Sequence, residues 1–116
     1  MGLIEDHVRD AKLAELEANY IAKKEFYTTV GGKTYRITEE NLIDLIGLSH
    51  LAQGADIGVL ENDVLSLQTH TAQQITDLLD EIRVYLVAVK TNRFNKREAL
   101  KAETDHDTLQ NFDVTL

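Results

Sequence analysis

The sequence predicts a mainly α protein: an amphipathic N-terminal helix, one β-hairpin at about residues 26–38, then a helical bundle or coiled-coil-like long helices. Three observations predict it. Apolar residues recur at near-helical intervals over 3–23, the stretch "EFYTTVGGKTYRIT" switches to alternation around a Gly-Gly pair, and from Leu60 apolar positions return every three or four residues. With 116 residues, 43% of them hydrophobic and 28% charged, the chain is expected to fold as one domain. That length buries a core yet leaves part of its apolar surface for a partner.

The first element, within residues 1–25, rests on Ile4, Val8, Leu13, Leu16 and Tyr20, with Ala11, Ala14, Ala18 and Ala22 adding helix propensity. Lys23 and Lys24 close it where positive charge suits the helix dipole. The apolar face must find a mate. In the hairpin, a two-residue turn at Gly31-Gly32 would pair Val30 with Lys33, Thr28 with Tyr35 and Phe26 with Ile37. Phe26, Tyr35 and Ile37 then form one apolar face, which must lie on a helix or join a neighbouring chain's sheet, because two strands alone are marginal. "VGGKT", residues 30–34, ends like a phosphate-binding loop, but that motif places Gly where Tyr27 stands, and "YRIT" replaces the helix that should follow.

Thr38 reads as an N-cap, with Glu39 and Glu40 in the first turn of a helix over 39–53 rich in Leu42, Ile43, Leu45, Ile46, Leu48 and Leu51. Gly54 would stop it, and "GADIG" reads as a loop. Over 60–104 the stripe Leu60, Val64, Leu67, Thr71, Ile75, Leu78, Ile82, Tyr85 or Leu86, and Val89 suits a long helix that serves as core or oligomer seam. Capping boxes at Thr71/Gln74 and Asn95/Glu98 would divide it into two or three helices. The tail, 105–116, has room for a helical turn from Thr108, with Leu109 and Phe112 docking back.

The chain has no cysteine, which excludes disulfides, thiolate nucleophiles and cysteine-ligated metals. No stretch approaches the ~18 apolar residues of a membrane span, Glu5, Asp6 and Arg9 interrupt any signal-peptide core, and Asp6 occupies the position where a myristoylation motif wants Ser or Thr. Synthesis in the cytosol, with no membrane partner, is the expectation. A net charge of −8 opposes nucleic-acid binding.

No catalytic residue, metal site or cofactor is assigned. His7, His50, His70 and His106 lack metal-ligand spacing, and "DHD" at 105–107 reads better as a surface loop or helix cap. Asp77, Asp80 and Glu81 could share a helix face, but nothing beside them would drive their pKa values apart. Ser49-His50 lacks a nucleophile elbow.

Charge is segregated. Residues 37–82 hold nine acids and no Lys or Arg, whereas Arg83, Lys90, Arg93, Arg97 and Lys101 form a basic stripe if the helix continues. That stripe serves as a solvated face, pairs with the acidic segment, or docks an acidic partner.

The blocks "KTYRITEENLIDLIG" and "EIRVYLVAVKTNRFNKREALKAETDHDTLQNFDV" carry a family likeness. Residues 33–114 resemble a domain of unknown function that recurs in bacteriophage tail-fibre, tail-spike and tail-fibre assembly proteins. The resemblance implies a non-enzymatic, chaperone-like assembly protein, a homo-oligomer whose partner is a tail-fibre or receptor-binding protein. It would act in the host cytoplasm during assembly or remain with the virion. Phe26, Tyr35, Ile37 and the basic stripe are the expected partner-binding residues. An acidic inhibitor of a host nucleic-acid enzyme, imitating a phosphate backbone, is the alternative.

Overall fold

A computed structural model describes residues 2–116. In order, it contains α1 (Leu3–Lys24), β1 (Phe26–Thr28), β2 (Thr34–Arg36), α2 (Glu39–His50), β3 (Ala55–Glu61), β4 (Val64–His70), α3 (Ala72–Ala102) and α4 (His106–Gln110). The fold is mainly α, with one antiparallel sheet in the order β1-β2-β3-β4. The chain forms two compact units: a sheet unit, Lys24–Leu86, and a helical unit made of the stretch up to Lys23 with Val87–Leu116. The helix α3 gives residues 72–86 to the first and 87–102 to the second.

The first hairpin forms where expected, but its loop is one residue longer. The Gly32 N–H donates to the Thr29 carbonyl at 3.0 Å, the Thr29 N–H donates to the Lys33 carbonyl at 2.8 Å, and Gly32 sits at φ 86°. This is a type I turn followed by a left-handed residue, which needs only one positive φ where a two-residue type I′ turn needs two. The register becomes Phe26–Arg36, Tyr27–Tyr35 and Thr28–Thr34. A one-residue slip exchanges faces on the shifted strand. Tyr27 therefore joins Tyr35 and Ile37 on the inner side, and Phe26 turns outward, 42% exposed.

Thr38 caps α2 as its sequence implies, with its hydroxyl accepting from the Asn41 N–H at 3.3 Å. The helix stops earlier than Gln53 and does not use Gly54. Gln53 N–H donates to the Leu48 carbonyl and Ala52 N–H to the Ser49 carbonyl, with Ala52 at φ 52°. This is a Schellman cap whose left-handed position holds alanine. Gly54 answers a different need: a Cβ there would lie 2.7 Å from the His70 carbonyl oxygen, so the chain passes too close to β4 for any side chain. Replacing exposed Ala52 by Gly relieves a left-handed strain of about 1–2 kcal/mol per residue, against about 0.4–1 kcal/mol of added unfolded-state entropy. The expected result for Ala52→Gly is a gain of about 0.5–1 kcal/mol, read as a higher urea midpoint at unchanged slope.

Residues 55–70 depart most from the sequence reading. "GADIG" opens β3 instead of forming a loop, and Leu60, Val64 and Leu67 lie on strands, not on a helix. The hairpin closes through Asn62 and Asp63 at φ 51° and 61°, both left-handed, between the paired Glu61 and Val64. Asn and Asp tolerate that conformation better than other non-glycine residues, so a two-residue primed turn forms without glycine. The apolar residues here meet helical spacing and strand alternation alike, and the turn decides between them.

The helix α3 begins on the expected capping box: Thr71 N–H donates to Gln74 Oε1 at 2.8 Å and Gln74 N–H to Thr71 Oγ1 at 3.2 Å. The second box, Asn95/Glu98, does not form, because α3 continues through it. In the sheet unit, Ile75, Leu78, Leu79 and Ile82 pack with Leu45 of α2 and with Tyr35, Ile37 and Val59 of the sheet. The Tyr27 and Tyr85 rings meet at 5.1 Å, tilted by 54°, and Ser49 Oγ lies 3.0 Å from Thr76 Oγ1, joining α2 to α3.

In the helical unit the mate of α1 is the C-terminal part of the chain: Leu16 packs with Leu100, Leu109 and Val114. The last residues lack regular structure, so their carbonyls need side-chain donors. Lys12 Nζ reaches the Phe112 carbonyl at 3.3 Å, Asn19 Nδ2 the Val114 carbonyl at 3.0 Å, and Lys96 Nζ those of Asp113 and Thr115. Arg9 donates to the Leu100 and Glu103 carbonyls at the end of α3, a cation placed at the negative end of a helix.

Candidate protein-interaction surfaces

The strand β4 is one edge of the sheet. An edge strand presents unpaired backbone N–H and C=O groups, and proteins usually blunt such edges with charge, proline or brevity. None of these applies here: β4 is seven residues, "VLSLQTH", without Asp, Glu, Lys, Arg or Pro. Its pairing with β3 places Leu65 opposite Leu60 and Leu67 opposite Gly58 on the outer face, and Ser66 opposite Val59 on the inner. Leu65 and Leu67 are 73% and 76% exposed, and Val64, at the tip of the inner face, is 64% exposed. The end of this hairpin therefore exposes an apolar side chain on each face and is open along its edge. Ile43 and Ile46 add exposed apolar surface on α2.

Between α2 and the β3–β4 hairpin lies a cavity of about 380 Å³ whose polar lining includes Arg36, Asn41, Asp44 and Asp56. Arg36, Asn41 and Asp56 serve the fold. Arg36 donates to Glu25 Oε1 through Nη2 at 2.8 Å and Nε at 3.1 Å, Asn41 Nδ2 holds the Arg36 carbonyl, and Asp56 accepts from Thr69 Oγ1 at 2.7 Å.

Of the residues expected to bind a partner, Tyr35 and Ile37 are core, 5% and 4% exposed, so their face lies on the chain's own helices. The Tyr35 hydroxyl sits 2.7 Å from His70 Nε2, and His70 Nδ1 lies 2.8 Å from the Gln68 carbonyl. A carbonyl can only accept, so Nδ1 donates and Nε2 accepts the phenol's proton. Phe26 alone of the three is accessible. The stripe from 60 to 89 divides likewise: Ile75, Leu78, Ile82 and Val89 are buried, Leu60 is half-buried, and Val64 and Leu67 are exposed.

The basic stripe also divides. Arg93 pairs with Glu17 of α1 at 2.9 Å and stacks over the Tyr20 ring at 4.3 Å. That partner lies outside the acidic segment 37–82. Arg97 and Lys101 lie near Glu98, at 3.7 and 3.6 Å, while Arg83 and Lys90 are exposed. Sequence reasoning missed the apolar β4 edge; its one signal was Asn62-Asp63 between alternating apolar runs.

Burial, chiefly, raises the Tyr27, Tyr35 and Tyr85 phenols, with Glu81 adding to the first two and Glu61 to Tyr35. Asp105 and Asp113 are lowered, first by the Thr108 and Thr115 hydroxyls and then by the same residues' backbone N–H groups. "DHD" thus spans the start of α4, with Asp105 as its N-cap and Asp105 Oδ2 accepting from Thr108 at 2.7 and 3.0 Å. A depressed carboxyl contributes stability that is present above its unfolded value and lost as pH falls through its folded one. Below the ordinary 3.8 the α4 cap and the tail turn should weaken. Melting temperatures of the chain and its Asp105→Asn, Asp113→Asn double variant are expected to differ at neutral pH and converge in acid.

Among the described residues there is no group of three or more His, Cys, Asp or Glu placed to hold a metal ion, and no helix is long and apolar enough to cross a membrane. No protein-family model, curated protein or solved structure matches the chain.

Proposed function

We propose that this chain is a non-enzymatic structural or assembly protein that acts by binding other proteins, in the bacteriophage tail-fibre setting its resemblance implies. The reading is supported above all by the β3–β4 hairpin, where Val64, Leu65 and Leu67 are exposed beside an open strand edge. Exposed apolar side chains beside an unpaired strand backbone are what strand-addition partners use: main-chain hydrogen bonds supply affinity and alternate side chains supply selectivity. Phe26, Arg83, Lys90 and Lys101 are the other exposed residues among those expected to bind a partner.

The test is coexpression with each open reading frame flanking the gene. The expected result is a fibre protein recovered in complex with this chain and insoluble when it is omitted. A fibre protein equally soluble without it, and never in complex with it, would overturn the proposal.

A further inference from the structure

We infer that β4 pairs antiparallel with β4 of a second copy of this chain, across a two-fold axis at Leu67, to give a continuous eight-stranded sheet. The inference rests on the reading of the chain as a protein-binding module, and it names one partner and one surface.

The register of the β3–β4 hairpin fixes which backbone groups are free. Glu61 and Val64 close a two-residue loop and so form a hydrogen-bonded pair. Hydrogen-bonded and non-bonded pairs alternate in an antiparallel ladder, so Val64, Ser66, Gln68 and His70 bond inward to β3, while Leu65, Leu67 and Thr69 direct N–H and C=O to the open edge. An isologous partner must present the same three residues. Centring the axis on Leu67 pairs the whole of Val64–His70 with itself: Leu67 with Leu67, and Leu65 with Thr69 on the outer face. On the inner face it pairs Val64 with His70 and Ser66 with Gln68.

Charge favours this occupant. Like charges directly opposite each other weaken a strand pair, and self-pairing doubles any charge a strand carries, but β4 carries no Asp, Glu, Lys or Arg. The other edge, β1, is three residues long and follows Lys23, Lys24 and Glu25 directly. Just beyond the paired strands, the turn residue Asp63 of one copy comes to the same end of the ladder as Thr71 of the other, at the start of α3. That helix has no acid in its first turn, whereas α2 has Glu39 and Glu40. The second copy would supply the negative charge that the α3 dipole lacks.

The absence of native cysteine makes the geometry directly testable. Directly opposed, hydrogen-bonded residues have Cα atoms ~5.5 Å apart, within the ~4.4–6.8 Å that a disulfide spans. Leu67→Cys should therefore give a covalent dimer under mild oxidation. Leu65→Cys is the control: its symmetry mate lies four residues along the ladder, more than ~13 Å away at ~3.4 Å per residue, and should not cross-link. Sedimentation should give twice the 13.1 kDa chain mass for the wild type and the single mass for Leu67→Lys, with unchanged circular dichroism because residue 67 is on the surface. A wild type of single mass at every concentration, or Leu65→Cys linking as fast as Leu67→Cys, would overturn the inference. A dimer that binds no fibre protein would sink the fibre setting alone, and a monomer that binds one would sink only the dimer.

Discussion

Leu109→Ala is expected to cost about 2–5 kcal/mol, the usual range for truncating a fully buried leucine. Leu109 is 0% exposed, and the buried cluster it belongs to is small, with Leu16, Leu100 and Val114 as its other buried members. A small core has few neighbours that can move in to fill the space, which places the cost toward the upper part of that range. The loss is set against a total stability of about 5–15 kcal/mol for a typical domain. It should also be local. The helix α4 has five residues, far below the length at which a helix stands alone, so Leu109 is what keeps it docked. Hydrogen exchange should show the amides of Leu109 and Asn111, which donate to the Asp105 and Asp107 carbonyls, losing protection before those of α2. A cost under about 1 kcal/mol, with protection of α4 unchanged, would mean that the tail is held by Lys12, Asn19 and Lys96 rather than by its apolar side chains.

The second large effect is expected from one oxygen atom. Tyr35→Phe keeps the ring in the core but removes the donor to His70 Nε2, which is buried with its residue 7% exposed. Leaving a buried polar atom without a partner costs about 1–3 kcal/mol. The ring contact, edge-to-face at 5.7 Å, survives the change, so the loss reports the hydrogen bond. Removing both partners should cost less than the sum of the two single losses, since the desolvation penalty disappears with the second polar group. A cycle of Tyr35→Phe, His70→Leu and the double variant measures this through urea midpoints. Strict additivity would show that the two groups do not depend on each other.

Much of this fold is legible in the sequence, and its illegible parts have physical causes. Thr38, Glu39 and Glu40 mark the start of α2, and Thr71 with Gln74 marks the start of α3, because capping is local: a side chain reaches a backbone group three residues away whatever surrounds it. Gly31-Gly32 marks a hairpin but not its register, since glycine suits a two-residue and a three-residue loop equally. That one residue decides whether Phe26 or Tyr27 is inside. The β3–β4 hairpin is hidden because Leu60, Val64 and Leu67 meet two periodicities, and its turn is built from Asn62 and Asp63 without glycine. Asn95/Glu98 shows the reverse error: the right residues for a cap fall where tertiary packing carries the helix through. Asn62-Asp63 signals the hairpin but not that β4 lies exposed at an edge, since that depends on which strand ends the sheet. Arg93 illustrates the same limit, because its partner Glu17 lies 76 residues away.

The helical unit draws on both ends of the chain, whereas residues 24–86 of the sheet unit are contiguous. During synthesis on the ribosome α1 emerges long before Leu100, Leu109 and Val114 exist, so Leu16 must wait uncovered until those residues have been made. The middle of the polypeptide is free to settle first. Anything that shields the nascent N-terminal segment during that interval would protect yield without altering the finished molecule.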